Sequence, residues 1–140
     1  MEKYVEILRE RFGKDSLISL ATVDETGMPW VRTVNALFVG DSFYTITYEL
    51  SQKMRHIGMH PHAAICGEWV SGHVTCENLG HVKAERNAAI ADTLRRAFAS
   101  WYDNGHTNEE DPHTVILKMK LTDGILFSHG TRYDFTCNAG

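Results

Sequence analysis

The chain lacks most signatures by which a nucleotide, a metal or an activated nucleophile announces itself. No glycine stands two positions from another, so there is neither a dinucleotide fingerprint nor a kinase-type loop, and Walker A, H-E-x-x-H and G-x-S-x-G are equally missing. Cysteine is scarce: Cys66, Cys76 and Cys137 form no C-x-x-C pair, which argues against structural zinc and a disulfide framework and leaves reduced, mostly buried thiols as the expectation. Positive charge is not in excess. With 14 Lys and Arg against 18 Asp and Glu, the net charge of −4 argues against nucleic acid as the main partner. No apolar run approaches the ~18 residues of a membrane span, and the opening MEKYVEILRERF has no signal-peptide core. The expectation is a cytoplasmic protein with no membrane partner.

What remains is an ordinary globular composition, 43% hydrophobic and 23% charged over 140 residues, consistent with one domain spanning 1–140. Tyr4, Val5, Leu8 and Phe12 share a helical stripe that ends at Gly13. LISLATV (17–23) reads as a strand covered on both faces, and Asp24–Gly27 as a turn into a second strand. A third strand follows a turn at Val39-Gly40-Asp41, and a short helix opens at Ser51 and ends before Pro61. The spacing then predicts strands over 62–70 and 73–82 with a turn at Ser71-Gly72, and a helix over 84–101. A polar loop over 102–112 precedes a final hairpin, 115–121 and 125–128, turning at Thr122-Asp123-Gly124. The course of 130–140 cannot be read. This order predicts a mainly β fold with flanking helices, an antiparallel, Greek-key-like barrel.

The polar residues of PWVRTVNALFVGDSFYTITYELSQK (29–53) carry the best candidate site. A helix N-terminus attracts anions through its unpaired N–H groups, and Lys53 with Arg32 from a neighbouring strand would complete a phosphate-sized cradle. Equally, Ser51 can be an ordinary N-cap and the two cations solvated surface charges. His56 and His60 share a helix face, but no carboxylate or cysteine stands at ligand spacing, so surface histidines are expected and no metal. Trp69 can be a packing anchor or can cover a flat aromatic ligand. Arg132-Tyr133 can cap a ligand or close the barrel. No Ser/His/Asp or Cys/His arrangement is visible, so redox chemistry supplied by a cofactor fits better than hydrolysis.

The run LATVDETGMPWVRTVNALFVGDSFYTITYELSQK, followed by a strand ending near CGEW, resembles the pyridoxamine 5′-phosphate oxidase-like FMN-binding split-barrel family. ENLGHVK, WYDNGH and FSHGTRYD point to its short, general-stress-protein-like branch. The resemblance implies a homodimer with FMN at its interface. It implies that Arg32, Thr33, Val34 and Asn35 line the flavin and its phosphate, that Tyr44 and Thr45 contact the flavin, and that Ser51, Gln52 and Lys53 bind the phosphate. Trp69 and Arg132 would be further flavin contacts, from either subunit. Where the true oxidase carries a substrate-binding lysine, this chain has Leu37. The implied activity is therefore a flavin-dependent oxidation or reduction of another small molecule, with a nicotinamide as a candidate reductant. A non-catalytic module carrying flavin is the alternative, or one carrying haem on His60, His62 or His73.

Overall fold

The computed structural model describes residues 2–104 and 107–137, so His106, in the WYDNGH segment, lies outside the described residues. The elements run α1 (Lys3–Phe12), β1 (Ser16–Val23), β2 (Pro29–Val39), β3 (Ser42–Tyr48), α2 (Gln52–Met59), β4 (His62–Gly67), β5 (Val70–His81), a 3-10 turn (Glu85–Asn87), α3 (Ala88–Ala97), β6 (Thr114–Ser128) and β7 (Thr131–Thr136). The sheet order is β3-β2-β1-β4-β5-β6-β7, and β3 also pairs with β6. Six antiparallel strands thus close into a barrel, with β7 attached outside the ring on β6. The step from β3 past β2 and β1 to β4 gives the Greek-key order the sequence predicts.

Strand alternation fills this barrel. Ile18 and Leu20 of β1, Ala36 and Phe38 of β2, Phe43 of β3 and Leu117, Met119 and Leu121 of β6 share one buried core. Helix α1 closes one end by inserting Phe12 edge-on against Phe43, at a ring separation of 5.4 Å. Helix α2 places Met54 and Ile57 in the same core at the other end. Helix α3 packs Ala91 and Leu94 outside the wall, over Leu37 and Ile116, in a second cluster. Among the described residues no helix covers the outer face of β1 and β4, so β1 is buried on one face only and not on both as its sequence suggests, with Leu17 64% exposed.

Three expected features differ. The β4–β5 turn falls at Glu68-Trp69 rather than Ser71-Gly72, with Trp69 at φ 55°. Nor does the chain turn at Thr122-Asp123-Gly124, because β6 runs unbroken through it. Gly72 and Gly124 lie opposite each other instead, where β5 crosses β6 closely enough that a Cβ on Gly72 would stand 2.6 Å from Asp123 O. Those glycines serve close approach beside a bulge, not a reversal. The turn that does occur there is His129-Gly130, both at positive φ, which sends 131–136 back along β6. Finally, the helix expected over 84–101 is α over Ala88–Ala97 alone.

None of the three cysteines is paired. Cys76 is buried, which pushes its thiol up to about 12, whereas Cys66 is exposed on β4, against expectation. No helix among the described residues is long and apolar enough to cross a membrane.

Candidate functional site

A gap in the strand register creates the site. All eight residues of β1 pair with β2, from Ser16 opposite Ala36 to Val23 opposite Pro29. Strand β2 meets β3 through only Leu37, Phe38 and Val39. From Thr45 to Tyr48, β3 runs beside β6, while the second edge of β2 from Pro29 to Ala36 has no strand beside it among the described residues. The barrel wall is split between these segments, and an open strand edge presents unpaired N–H and C=O groups. Helix α2 begins four residues after β3 ends, which brings its N-terminus to the mouth of the split.

Arg32 lies on the inward face of β2, in alternation with Val34, Ala36 and Phe38, at the end that α2 closes. Its Nη1 donates to Thr22 Oγ1 at 2.6 Å and to the carbonyls of Leu20 and Trp30, each at 3.3 Å. Its Nη2 donates to Gln52 Oε1 at 3.3 Å, linking the strand to the first residue of α2. Lys53 Nζ reaches only Ser51 Oγ, at 3.5 Å. Among the described residues neither cation is ion-paired.

The helix terminus adds to the positive field. Ser51 makes no side-chain cap, the first turn holds no acidic residue, and the first N–H to find a backbone partner is that of Arg55. The N–H groups of Gln52, Lys53 and Met54 therefore have no partner among the described residues. Burial lowers the pKa of Lys53, and the neighbouring Arg32 charge lowers it further; burial lowers that of Arg32 too. Two partly buried cations at an uncapped helix start, with no carboxylate between them, form an arrangement that an oxyanion would stabilise.

The other expected residues divide. Thr33 is exposed, and the Asn35 side chain donates to Asp15 Oδ1 at 3.0 Å, while the other oxygen of that carboxylate accepts from Trp101 Nε1 at 2.8 Å. Asn35 can thus offer the split only its backbone. Val34 packs on the barrel core, and Thr45 is buried on the same inner face as Phe43. Tyr44 faces the other way, against the α3 cluster. Trp69 and Arg132 are not brought to Arg32 and Lys53 within the chain. Trp69 stands at the far end of the β4–β5 hairpin, 70% exposed, with its ring 6.4 Å from that of Phe127. Arg132 pairs opposite Phe127 and bonds Asp134.

Two residues of the site escaped the sequence reading. Thr22 and His56, the latter expected at the surface, are both buried and lie 2.8 Å apart through Oγ1 and Nδ1. A signal existed: His56 is three residues after Lys53 on α2, and Thr22 alternates with Ile18 and Leu20.

The family model described as pyridoxamine 5′-phosphate oxidase matches residues 2–127. A comparison with curated proteins gives no match. Among solved structures, a heme binding protein from Mycobacterium smegmatis superposes with a TM-score of 0.71 at 16% identity. That match covers 97% of this chain but 59% of the other, so the chain spans less than two thirds of that relative. A FAD-binding protein from Mesorhizobium loti gives a TM-score of 0.68 at 11% identity, covering 89% of this chain and 92% of that one. General Stress Protein 26 from Bacillus anthracis gives 0.66 at 13%, covering 96% and 100%. At such identities these likenesses establish the fold.

Proposed function

The chain belongs to the pyridoxamine 5′-phosphate oxidase family, and from that premise we propose that it is a homodimeric flavoprotein that holds FMN noncovalently in the split between β2 and β3. One observation carries the reading: Arg32 and Lys53 stand together without a counter-ion at the uncapped start of α2, beside an open strand edge. The donor set fits a phosphate monoester dianion. Arg32, Ser51, Gln52 and Lys53 hold it by charge-assisted hydrogen bonds, and the free N–H groups of α2 complete the cradle. The unpaired backbone edge over 33–35 matches the alternating donors and acceptors of an isoalloxazine's polar rim. Thr45 contributes to the floor of the split, while Tyr44 acts only through the packing of β3.

Bound flavin supplies hydride or electron transfer, and the chain's own residues bind it, orient it and shield it from water. The reaction class this supports is a flavin-dependent oxidation or reduction of a small molecule, with a nicotinamide as candidate reductant. The absence of a lysine at Leu37 separates it from pyridoxamine phosphate oxidation. Unpaired cysteines suit the reducing cytoplasm.

The dimer rests on the bare outer face of β1, β2 and β4. Leu17 is 64% and Val31 70% exposed there, beside Ala21, Ala64 and Cys66, so that the face is apolar around the single polar pair Ser19–Thr33 and carries no charged side chain on β1 or β4 between Leu17 and Ala64. Trp69 and Arg132, remote from the cradle in their own protomer, are the residues a partner could bring to it.

A second reading has one observation behind it. His73 Nδ1 lies 2.8 Å from Asp123 Oδ1, which leaves Nε2 as a free ligand position for haem iron. A Soret band lost in His73→Ala would favour that reading.

The test is equilibrium titration with FMN. Lys53→Ala is expected to weaken binding by roughly tenfold to a hundredfold, the worth of one charged hydrogen bond. Unchanged affinity would remove Lys53 from the phosphate site.

A further inference from the structure

Arg32, Thr22 and His56 form a hydrogen-bonded chain in the wall of the cradle, and of these Thr22 and His56 have no part in holding the phosphate directly. Thr22 is 2% and His56 4% exposed, so the Thr22 hydroxyl depends on protein partners. Arg32 Nη1 donates to Thr22 Oγ1 at 2.6 Å, and Oγ1 lies 2.8 Å from His56 Nδ1. A guanidinium can only donate, so the hydroxyl oxygen accepts from Arg32, and among the described residues His56 Nδ1 is the one acceptor within reach of the buried hydroxyl proton. Nδ1 is then an acceptor, and the imidazole is neutral with its proton on Nε2. An imidazolium would turn Nδ1 into a donor and strand the Thr22 proton in a buried site.

The chain has a directional consequence. Nη1 is occupied by Thr22 and by the carbonyls of Leu20 and Trp30. Nη2 has one long bond, to Gln52, and Nε has no partner among the described residues. The guanidinium is therefore held by one corner against β1, with its remaining donors directed away from that anchor. His56 is also on α2, one turn beyond Gln52 and Lys53, so the same chain fixes the helix that supplies the other half of the cradle.

We propose that Thr22 and His56 are positioning residues that set the orientation of Arg32 relative to the start of α2, and so set the preference of the site for a phosphate-bearing flavin. The inference rests on the flavin reading above. Neither residue touches the ligand. Their effect is confined to the interaction with the phosphate, because the chain ends on Arg32 and does not reach the strand edge over 33–35.

The experiment measures affinity for FMN and for riboflavin, which lacks the phosphate, in the wild type and in Thr22→Val, His56→Leu, Thr22→Ser and His56→Asn. The wild type is expected to bind FMN more tightly than riboflavin. Thr22→Val and His56→Leu break the chain and are expected to lower the FMN-to-riboflavin affinity ratio by about tenfold or more. Thr22→Ser keeps the hydroxyl and His56→Asn keeps an acceptor near the Nδ1 position, so both retain the ratio within about threefold. General loosening of the fold would weaken both ligands alike and leave the ratio unchanged. Because the breaking variants can fail to fold, the 15N shifts of His56 are measured in the wild-type protein as well. A neutral, Nε2-protonated ring at neutral pH is expected; a charged ring or an Nδ1-protonated one overturns the proposal. Breaking variants that keep the wild-type ratio also overturn it, while the phosphate site stands. A wild type that does not discriminate FMN from riboflavin overturns both.

Discussion

At the scale of the residue, the site is an electrostatic problem left open by the chain itself. Burial and Arg32 both lower the pKa of Lys53, so the charged lysine costs stability in the free protein. That cost is present while Lys53 is protonated in the fold. It fades as pH rises through the lowered folded pKa towards the unfolded value. A phosphate reverses the balance by favouring the ammonium. The gain in unfolding temperature on adding FMN should therefore shrink as pH rises through the alkaline range, and Lys53→Arg should preserve it there. A gain that grows with pH would contradict the account. Arg32, Ser51 and Lys53 were legible in the sequence because strand alternation and a helix start are local facts. His56 was not. Its four-residue spacing from His60 suggested one shared face, yet His60 follows the end of α2 and is exposed, whereas His56 turns inwards to Thr22, 34 residues earlier in the chain.

At the scale of the element, the split depends on strands that part company. The first three strands and α2 were readable, since each turn between them has its own turn residues; the β-sheet crossing at Gly72 and Gly124 was not. Ser71-Gly72 and Asp123-Gly124 have turn composition, but the two glycines face each other across paired strands, and only the pairing reveals why a side chain is excluded. Gly72→Ala should destabilise the fold by about 1–3 kcal/mol through overpacking against the β6 backbone, measured by chemical denaturation. A change below about 0.5 kcal/mol, the range of a neutral surface substitution, would show that the crossing is not tightly packed.

At the scale of the whole molecule, the barrel is plugged at both ends and sheathed by α3 on one side, which leaves the outer face of β1, β2 and β4, with exposed Leu17 and Val31, as the surface on which the proposed dimer would form. Neither that face nor the place of Trp69 and Arg132 could be read from the sequence, because both depend on which strands α3 covers and on where β6 bends back. If the proposed dimer forms on this face, the wild type sediments as a dimer and Val31→Asp as a monomer with weaker FMN retention; a variant that stays dimeric would move the interface elsewhere. The central claim is that the split holds FMN, and it is tested most directly by the visible absorption spectrum of the protein after FMN is added and the excess removed. The account predicts a retained oxidised-flavin spectrum, close to one flavin per chain, that is absent from an Arg32→Ala, Lys53→Ala double variant. A wild-type protein that emerges colourless would contradict it.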